Sequence, residues 1–394
     1  MRVQFVSTKY PPYIGGAQTQ LQKIAQQICR TTPVQIAILA DRDDDQTRVT
    51  RSVYNAAAAF VSAGIPAQWL TSQSRSYDDD GVKVDVVGAT AVEKLSTVVT
   101  RGHSADTAME RHLSRVMNGA SVIHCIKPDW LAFRAREVAR RKRIPYVVTP
   151  FIHDRSVADD IGWLLKDADA VLALSEADRR NLIDIGIPAA KVRMTGVAPL
   201  VSGEAQPQRF RDTHGIGNDP MVLFLGRMIE YKGARATLAA ASRVWDKFPA
   251  TRFVFAGPPV AGSDAWFEQM PDARIVHLGR VSDADKVDAL AACNVFCMPS
   301  TFEILPAVFL EAWTFGKPVI GGTAAGLQDL IEGNGAGFIS SQEPAEIADK
   351  IVRLLGDPEM SKRMGAAGRA LVDAKYNFPA LAKGLMEIYS SLQH

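Results

Sequence analysis

The chain has 394 residues, of which 47% are hydrophobic, 22% charged and 8% aromatic, a globular composition that excludes disordered, collagen-like and disulfide-scaffold classes. A formal net charge of +2 is too small for a nucleic-acid binder that works by neutralising many phosphates, and at ~100–200 residues per domain the length predicts about two domains. Residues 1–200 carry 26 Lys/Arg against 21 Asp/Glu and residues 201–394 carry 19 against 22, an asymmetry that leaves room for an anionic acceptor or a membrane surface on the first half.

Arg2 is followed by only a short apolar stretch before Lys9, too short for a signal peptide, so a cytoplasmic protein is expected. Residues 52–74 lack charges, yet Asn55, Gly64, Pro66 and Gln68 make them a poor membrane span. The four cysteines, Cys29, Cys125, Cys293 and Cys297, are too scattered for a disulfide framework and point to a reducing compartment. Cys293 and Cys297 read as buried thiols on one side of a strand, and no metal is expected.

Short β-branched runs alternate with helical-period segments along the chain, the pattern of parallel sheets covered by helices. In the first half the strands read Val3–Thr8, Val34–Ala40, Val82–Val87, Val122–Cys125, Tyr146–Thr149, Ala170–Leu174 and Val192–Thr195. Residues 41–80, bounded by the Asp43–Asp45 and Asp78–Asp80 clusters, break the alternation and read as an insertion whose acids are solvated loop ends. The basic run from Arg134 to Arg143 reads as a solvated helix face, with a membrane-facing patch as the alternative.

Gly203, Pro207, Gly215, Gly217 and Pro220 interrupt regular structure, which makes 201–219 the expected linker between domains at 1–200 and 220–375. The second strand series reads Met221–Leu225, Arg252–Ala256, Ile275–Leu278, Val295–Met298, Val319–Gly321 and Gly337–Ile339. Helical patterning alone fills 358–393, and a terminal helix at 376–394 is expected to pack across both domains.

In open parallel sheets ligands bind beyond the C-terminal ends of the strands, so strand-end loops are the place to look for chemistry. After the first strand, Tyr10 to Ala17 contains Gly15-Gly16 ahead of an apolar-periodic helix, where backbone amides can approach an anion. The spacing is not GxGxxG, which argues against a nicotinamide oxidoreductase. After Met221–Leu225 come Gly226-Arg227 and Lys232-Gly233, a fork of donors and a point charge suited to a diphosphate. The segment from Ser300 to Val319 is the most specific. Pro306 suits a first helical turn and Gly316 with Pro318 a stop, so a helix spans roughly 306–315, with Glu303 just before it and Glu311 more than one turn inside. A buried acid there can accept paired hydrogen bonds from a ribose diol.

At these residues the chain resembles glycosyltransferase family 4, retaining transferases with the GT-B fold of two Rossmann-like domains. The resemblance covers essentially the whole chain: Gly15-Gly16, His153-Asp154, Ala173 to Glu176, Gly226-Arg227 with Lys232-Gly233, Phe255 to Gly257, and the Glu303 to Glu311 spacing before Gly316-Lys317-Pro318. It implies a nucleotide-sugar donor, UDP- or GDP-linked, whose diphosphate meets Arg227, Lys232 and amides near Gly16. Glu311 would hold the ribose, and Val281 would flank the base. Glu303 and the amide of Leu305 would read the sugar, with His153 lining it from the other domain. No metal or other cofactor is implied.

Three departures from the family pattern stand out. Pro306 replaces a common Gly and removes an N–H; the usual His-x-His reads His124-Cys125-Ile126; and Thr195-Gly196-Val197-Ala198 lacks the common Asn and Asp. The acceptor is an unnamed small molecule, glycan or lipid-linked group, and peripheral membrane contact through the first domain stays open. An epimerase or hydrolase on the same fold, or a non-catalytic sugar-nucleotide binder, are the alternatives.

Overall fold

The computed structural model describes residues 1–11, 15–39, 75–87, 108–151 and 162–393, which form two compact units. The first comprises Met1–Leu174, Arg179–Thr195 and Ala382–His394, and the second Ser175–Asp178 and Gly196–Leu381.

In the first unit the strands are β1 (Val3–Ser7), β2 (Val34–Leu39), β3 (Arg75–Asp79), β4 (Val82–Val87), β5 (Val122–Ile126), β6 (Tyr146–Thr149), β7 (Ala170–Ala173) and β8 (Val192–Met194). They form one sheet in the order β3-β4-β2-β1-β5-β6-β7-β8, parallel throughout except for β3, which pairs antiparallel with β4. β1 and β5 are buried at every residue, as a central strand covered on both faces must be. Ile123, Cys125, Val148 and Val171 pack against Leu131 and Ala135 of the helix Trp130–Lys142. Truncating one of these, Ile123→Ala for example, costs ~2–5 kcal/mol through lost contact and the cavity left behind.

β3 corrects the sequence reading, which placed Asp78–Asp80 at the end of an insertion; residues 41–74 of that insertion lie outside the described residues. Asp80 and Gly81 both have positive φ, 50° and 83°, and make the two-residue hairpin turn that Asp-Gly favours. Asp79 is not a solvated loop end: its Oδ2 accepts from the Tyr10 hydroxyl at 2.5 Å and from Gln22 Nε2 at 3.1 Å. The hairpin thus ties down the residue that follows β1, and burial together with Asp79 holds the Tyr10 phenol well above its ordinary pKa.

The basic run divides in two: Arg134 and Arg136 are buried, while Arg140, Arg141 and Arg143 stay exposed. Arg134 is fully buried against Glu110 at 2.7 Å, Arg136 pairs with Glu137 and Asp167, Arg140 with Asp167, and Arg141 with Glu110. Carboxylates from separate segments therefore neutralise four of its cations. No helix among the described residues is long and apolar enough to cross a membrane.

The second unit holds β9 (Met221–Leu225), β10 (Arg252–Ala256), β11 (Ile275–Gly279), β12 (Val295–Met298), β13 (Val319–Gly321) and β14 (Gly337–Ile339). All are parallel, in the order β11-β10-β9-β12-β13-β14. Residues 201–219, expected as a linker, belong to this unit and contain the helix Pro207–Thr213. Its Phe210 is 2% exposed, and Arg209 donates to Asp288 at 2.8 Å and 2.5 Å, so a buried ring and an ion pair fasten a segment rich in helix breakers. Cys293 ends the helix Asp283–Ala292 and only Cys297 lies in a strand; both are buried.

Behind the helix Ala307–Thr314 lies the helix Pro358–Ala374. A side chain on its Gly368 would meet the Trp313 ring at 2.1 Å, and one on Gly365 would meet the Gly316 carbonyl at 1.8 Å. Only glycine allows that approach, and fully buried Trp313 fills the space, its Nε1 donating to Ala336 O at 3.1 Å. The last helix, Phe378–Ser391, contributes fully buried Tyr389 to the first unit, where its hydroxyl meets His124 Nδ1 at 2.6 Å.

Candidate active site

In the second sheet the strand order reverses between neighbours β9 and β12, the point at which open sheets leave a crevice for ligands. The two loops leaving those strand ends carry the residues singled out in the sequence. After β9 the chain runs through Gly226 and Arg227 into a single tight turn, Glu230–Lys232. Gly233 follows at φ 81°, and a Cβ there would come within 2.6 Å of the Pro299 ring. The turn therefore lies flat on Pro299, and Thr301 N donates to Tyr231 O at 2.8 Å. This docking brings Lys232 Nζ to Glu303 Oε1 at 2.5 Å, with the two side chains 17% and 9% exposed. Arg227 stays exposed and donates from Nη2 to the Tyr231 hydroxyl at 2.9 Å.

Glu303 and Leu305 precede the helix Ala307–Thr314, whose N-cap position is occupied by Pro306 at φ −75° and ψ 111°, and no side chain caps it. Pro306 thus sits just outside the helix. The free amides of the first turn form a positive end that favours an anion. Leu305 is buried, and Phe309 N donates to Pro306 O at 3.2 Å.

Glu311 lies inside that helix and is 5% exposed. Its Oε1 accepts from Leu200 N at 3.2 Å and from Lys286 Nζ at 3.3 Å, while Lys286 also donates to Leu200 O at 2.7 Å. Burial pushes the Glu311 carboxyl above the usual range, and Lys286 and the Leu200 amide pull it partly back. Lys286 comes from the helix Asp283–Ala292, which Ser282 caps by accepting from Asp285 N. Half-buried Val281 stands just before that cap, beyond β11.

In the first unit the order reverses between β1 and β5. Gly15 and Gly16 open the helix Gly16–Cys29 beyond β1, again with no side-chain cap, and no atom lies within 4 Å of where a Gly16 side chain would start. Thr8, just after β1, donates from Oγ1 to Asp129, just after β5. Asp129 also caps the helix Trp130–Lys142 through the amides of Leu131 and Ala132, and burial raises its carboxyl to about 7. His153 and Asp154 lie outside the described residues. His124, at the departure from the His-x-His pattern, is a strand residue buried between Tyr389 and Thr149, whose Oγ1 is 2.7 Å from Nε2. It takes no part in a loop.

The structure therefore joins Lys232 with Glu303, seats Arg227 on Tyr231, and gives Glu311 two partners the sequence reading did not single out. Lys286 sits in an ordinary amphipathic helix, and a backbone amide such as that of Leu200 leaves no signature. Asp129 carried a weak one, an acid just ahead of an apolar-periodic segment.

Comparison with known proteins follows this geometry. The profile described as "Glycosyl transferases group 1" matches residues 207–371, and that described as "Glycosyl transferase 4-like domain" matches residues 15–198. The alpha-D-kanosaminyltransferase of Streptomyces kanamyceticus is 29% identical over 58% of this chain, which spans 62% of that protein's length. The D-inositol 3-phosphate glycosyltransferase of Frankia alni is 30% identical over 66% of this chain and 72% of its own. The crystal structure of Anabaena HepE in complex with UDP superposes with a TM-score of 0.72, covering 99% of this chain and 100% of that one at 18% identity. Two parallel sheets with site loops at their switch points, and sequence matches to both halves, lead to one assignment: the chain belongs to the family 4 glycosyltransferases of GT-B fold.

Proposed function

We propose that the protein transfers a sugar from a nucleoside-diphosphate sugar to an acceptor hydroxyl, with retention of anomeric configuration. The observation that carries this reading is the 2.5 Å pair of Lys232 and Glu303, set between the ends of β9 and β12 beside an uncapped helix start. A diphosphate approaching that loop takes Lys232 away from the carboxylate and adds Arg227, which is exposed and donates to the Tyr231 hydroxyl. Glu303, released, accepts hydrogen bonds from the donor sugar. Glu311 receives the ribose hydroxyls. Val281 flanks the base.

As the acceptor oxygen bonds to the anomeric carbon, the bond from that carbon to the phosphate oxygen breaks. The departing phosphate takes the acceptor's proton, so no enzyme nucleophile is required. Fixed cations and amides steady the leaving diphosphate without reorganising.

Titration calorimetry with UDP, GDP, ADP and TDP tests the reading. One nucleotide should bind, and Arg227→Ala and Lys232→Ala should each weaken it by ~1.5–3 kcal/mol, the range for charge-assisted hydrogen bonds. Wild-type affinity in both variants removes these cations from the site. Donor turnover that proceeds equally with and without any acceptor would move the protein to the epimerase or hydrolase class.

A further inference from the structure

The Lys232–Glu303 pair joins two loops that share no strand, and something must hold them at a fixed distance. The carbonyl oxygens of Glu230 and Tyr231, on the lysine's turn, and of Pro299, on the carboxylate's loop, all face one atom. Gln342 Nε2 lies 3.3 Å from Glu230 O, 3.1 Å from Tyr231 O and 2.9 Å from Pro299 O. Gln342 belongs to neither loop; it follows β14, the outermost strand of the sheet. Three carbonyl dipoles pointing at one place repel one another unless a donor stands between them. A side-chain amide supplies two N–H groups where a hydroxyl offers one and a carboxylate none.

We infer that Gln342 is a positioning residue which clips the Lys232 turn to the Glu303 loop and so sets the lysine–carboxylate spacing that a nucleoside diphosphate enters. This rests on the donor-site reading above. The clip acts through main-chain atoms, so its loss shifts the Lys232 backbone, leaving the lysine present but misplaced. The direct Thr301–Tyr231 bond and the Gly233–Pro299 contact keep the turn folded, which separates placement from folding.

The test uses the full chain and UDP, or GDP where the nucleotide screen selects it. Gln342→Glu keeps the shape but turns the donor into an acceptor, and Gln342→Met keeps the length with neither. At pH 8 both should bind the nucleotide about tenfold more weakly than wild type, the upper end of what one net hydrogen bond contributes. From pH 8 to pH 5 the ratio of variant to wild-type Kd should shrink for Gln342→Glu alone. Three facing carbonyls raise its carboxyl pKa, and the protonated acid regains an O–H donor. Gln342→Met should stay weak throughout. Wild-type affinity in Gln342→Met, or a Gln342→Glu deficit that does not change with pH, overturns the inference. A wild-type chain that binds none of the four nucleotides instead overturns the donor-site reading.

Discussion

Two lysine–glutamate pairs frame the second unit's crevice, and they are built differently. Glu311 is fixed from three directions, by its helix, by Lys286 and by the Leu200 amide, and it is 5% exposed. Glu303 sits on a loop and has one described partner, Lys232. A carboxylate locked into a network is preorganised: it receives a ligand group without moving. A carboxylate held by a single lysine forms an exchangeable contact, and a ligand that carries both anionic and hydroxyl groups can divide the pair. On the proposed reading, Glu311 would recognise its ligand rigidly and Glu303 would rearrange when the ligand enters.

The sharpest way to break this contrast is to remove each acid in turn. Glu303→Ala should lower the rate of sugar transfer by at least about 100-fold, the scale of losing one polar group at the reacting centre. Its affinity for nucleoside diphosphate should hold or rise, because Lys232 is released. A fall in diphosphate affinity matching the fall in rate refutes the exchange.

Glu311→Ala should act on folding as well. Leaving the Leu200 amide without its acceptor and Lys286 without its counter-charge costs about 3 kcal/mol of stability, measured by urea unfolding. If Glu303→Ala destabilises the chain as much as Glu311→Ala, the two pairs are equivalent and the contrast fails.

A smaller effect sharpens the comparison from outside the crevice. His124 is buried and neutral, its pKa lowered to about 3 by desolvation, against about 6.5 when unfolded. The unfolded chain therefore binds more protons between those values. The stability that His124 contributes is complete above pH 6.5 and is lost as pH falls towards 3. Thermal unfolding midpoints of His124→Asn should decline less steeply than wild type across that window. An unchanged slope means that the ring does not titrate on unfolding.

Much of this architecture was legible in the sequence because parallel strands buried on both faces read as continuous apolar runs. Met221–Leu225, Arg252–Ala256 and Val295–Met298 match their predicted bounds. β3 was missed because Arg75-Ser76-Tyr77-Asp78-Asp79 is an edge strand without an apolar face; the Asp80-Gly81 turn was the available signal. The helix Pro207–Thr213 hid among helix breakers, its one buried residue being Phe210. At the site the sequence supplied the residue types and the spacing from Glu303 to Glu311, which local helix geometry enforces. It did not supply the partners. Lys286, the Leu200 amide and Gln342 reach the crevice through sheet order and main-chain atoms, which leave no pattern along the chain.

The two glycines of the helix Pro358–Ala374 have a consequence for all of this. Because nothing projects from Gly365 and Gly368, that helix presses directly on Trp313 and Gly316, behind the short helix that presents Glu311. A methyl group at either position would collide with Trp313 or the Gly316 carbonyl and force the short helix or its neighbour to shift. The backstop for the Glu311 carboxylate is thus a surface from which side chains are missing.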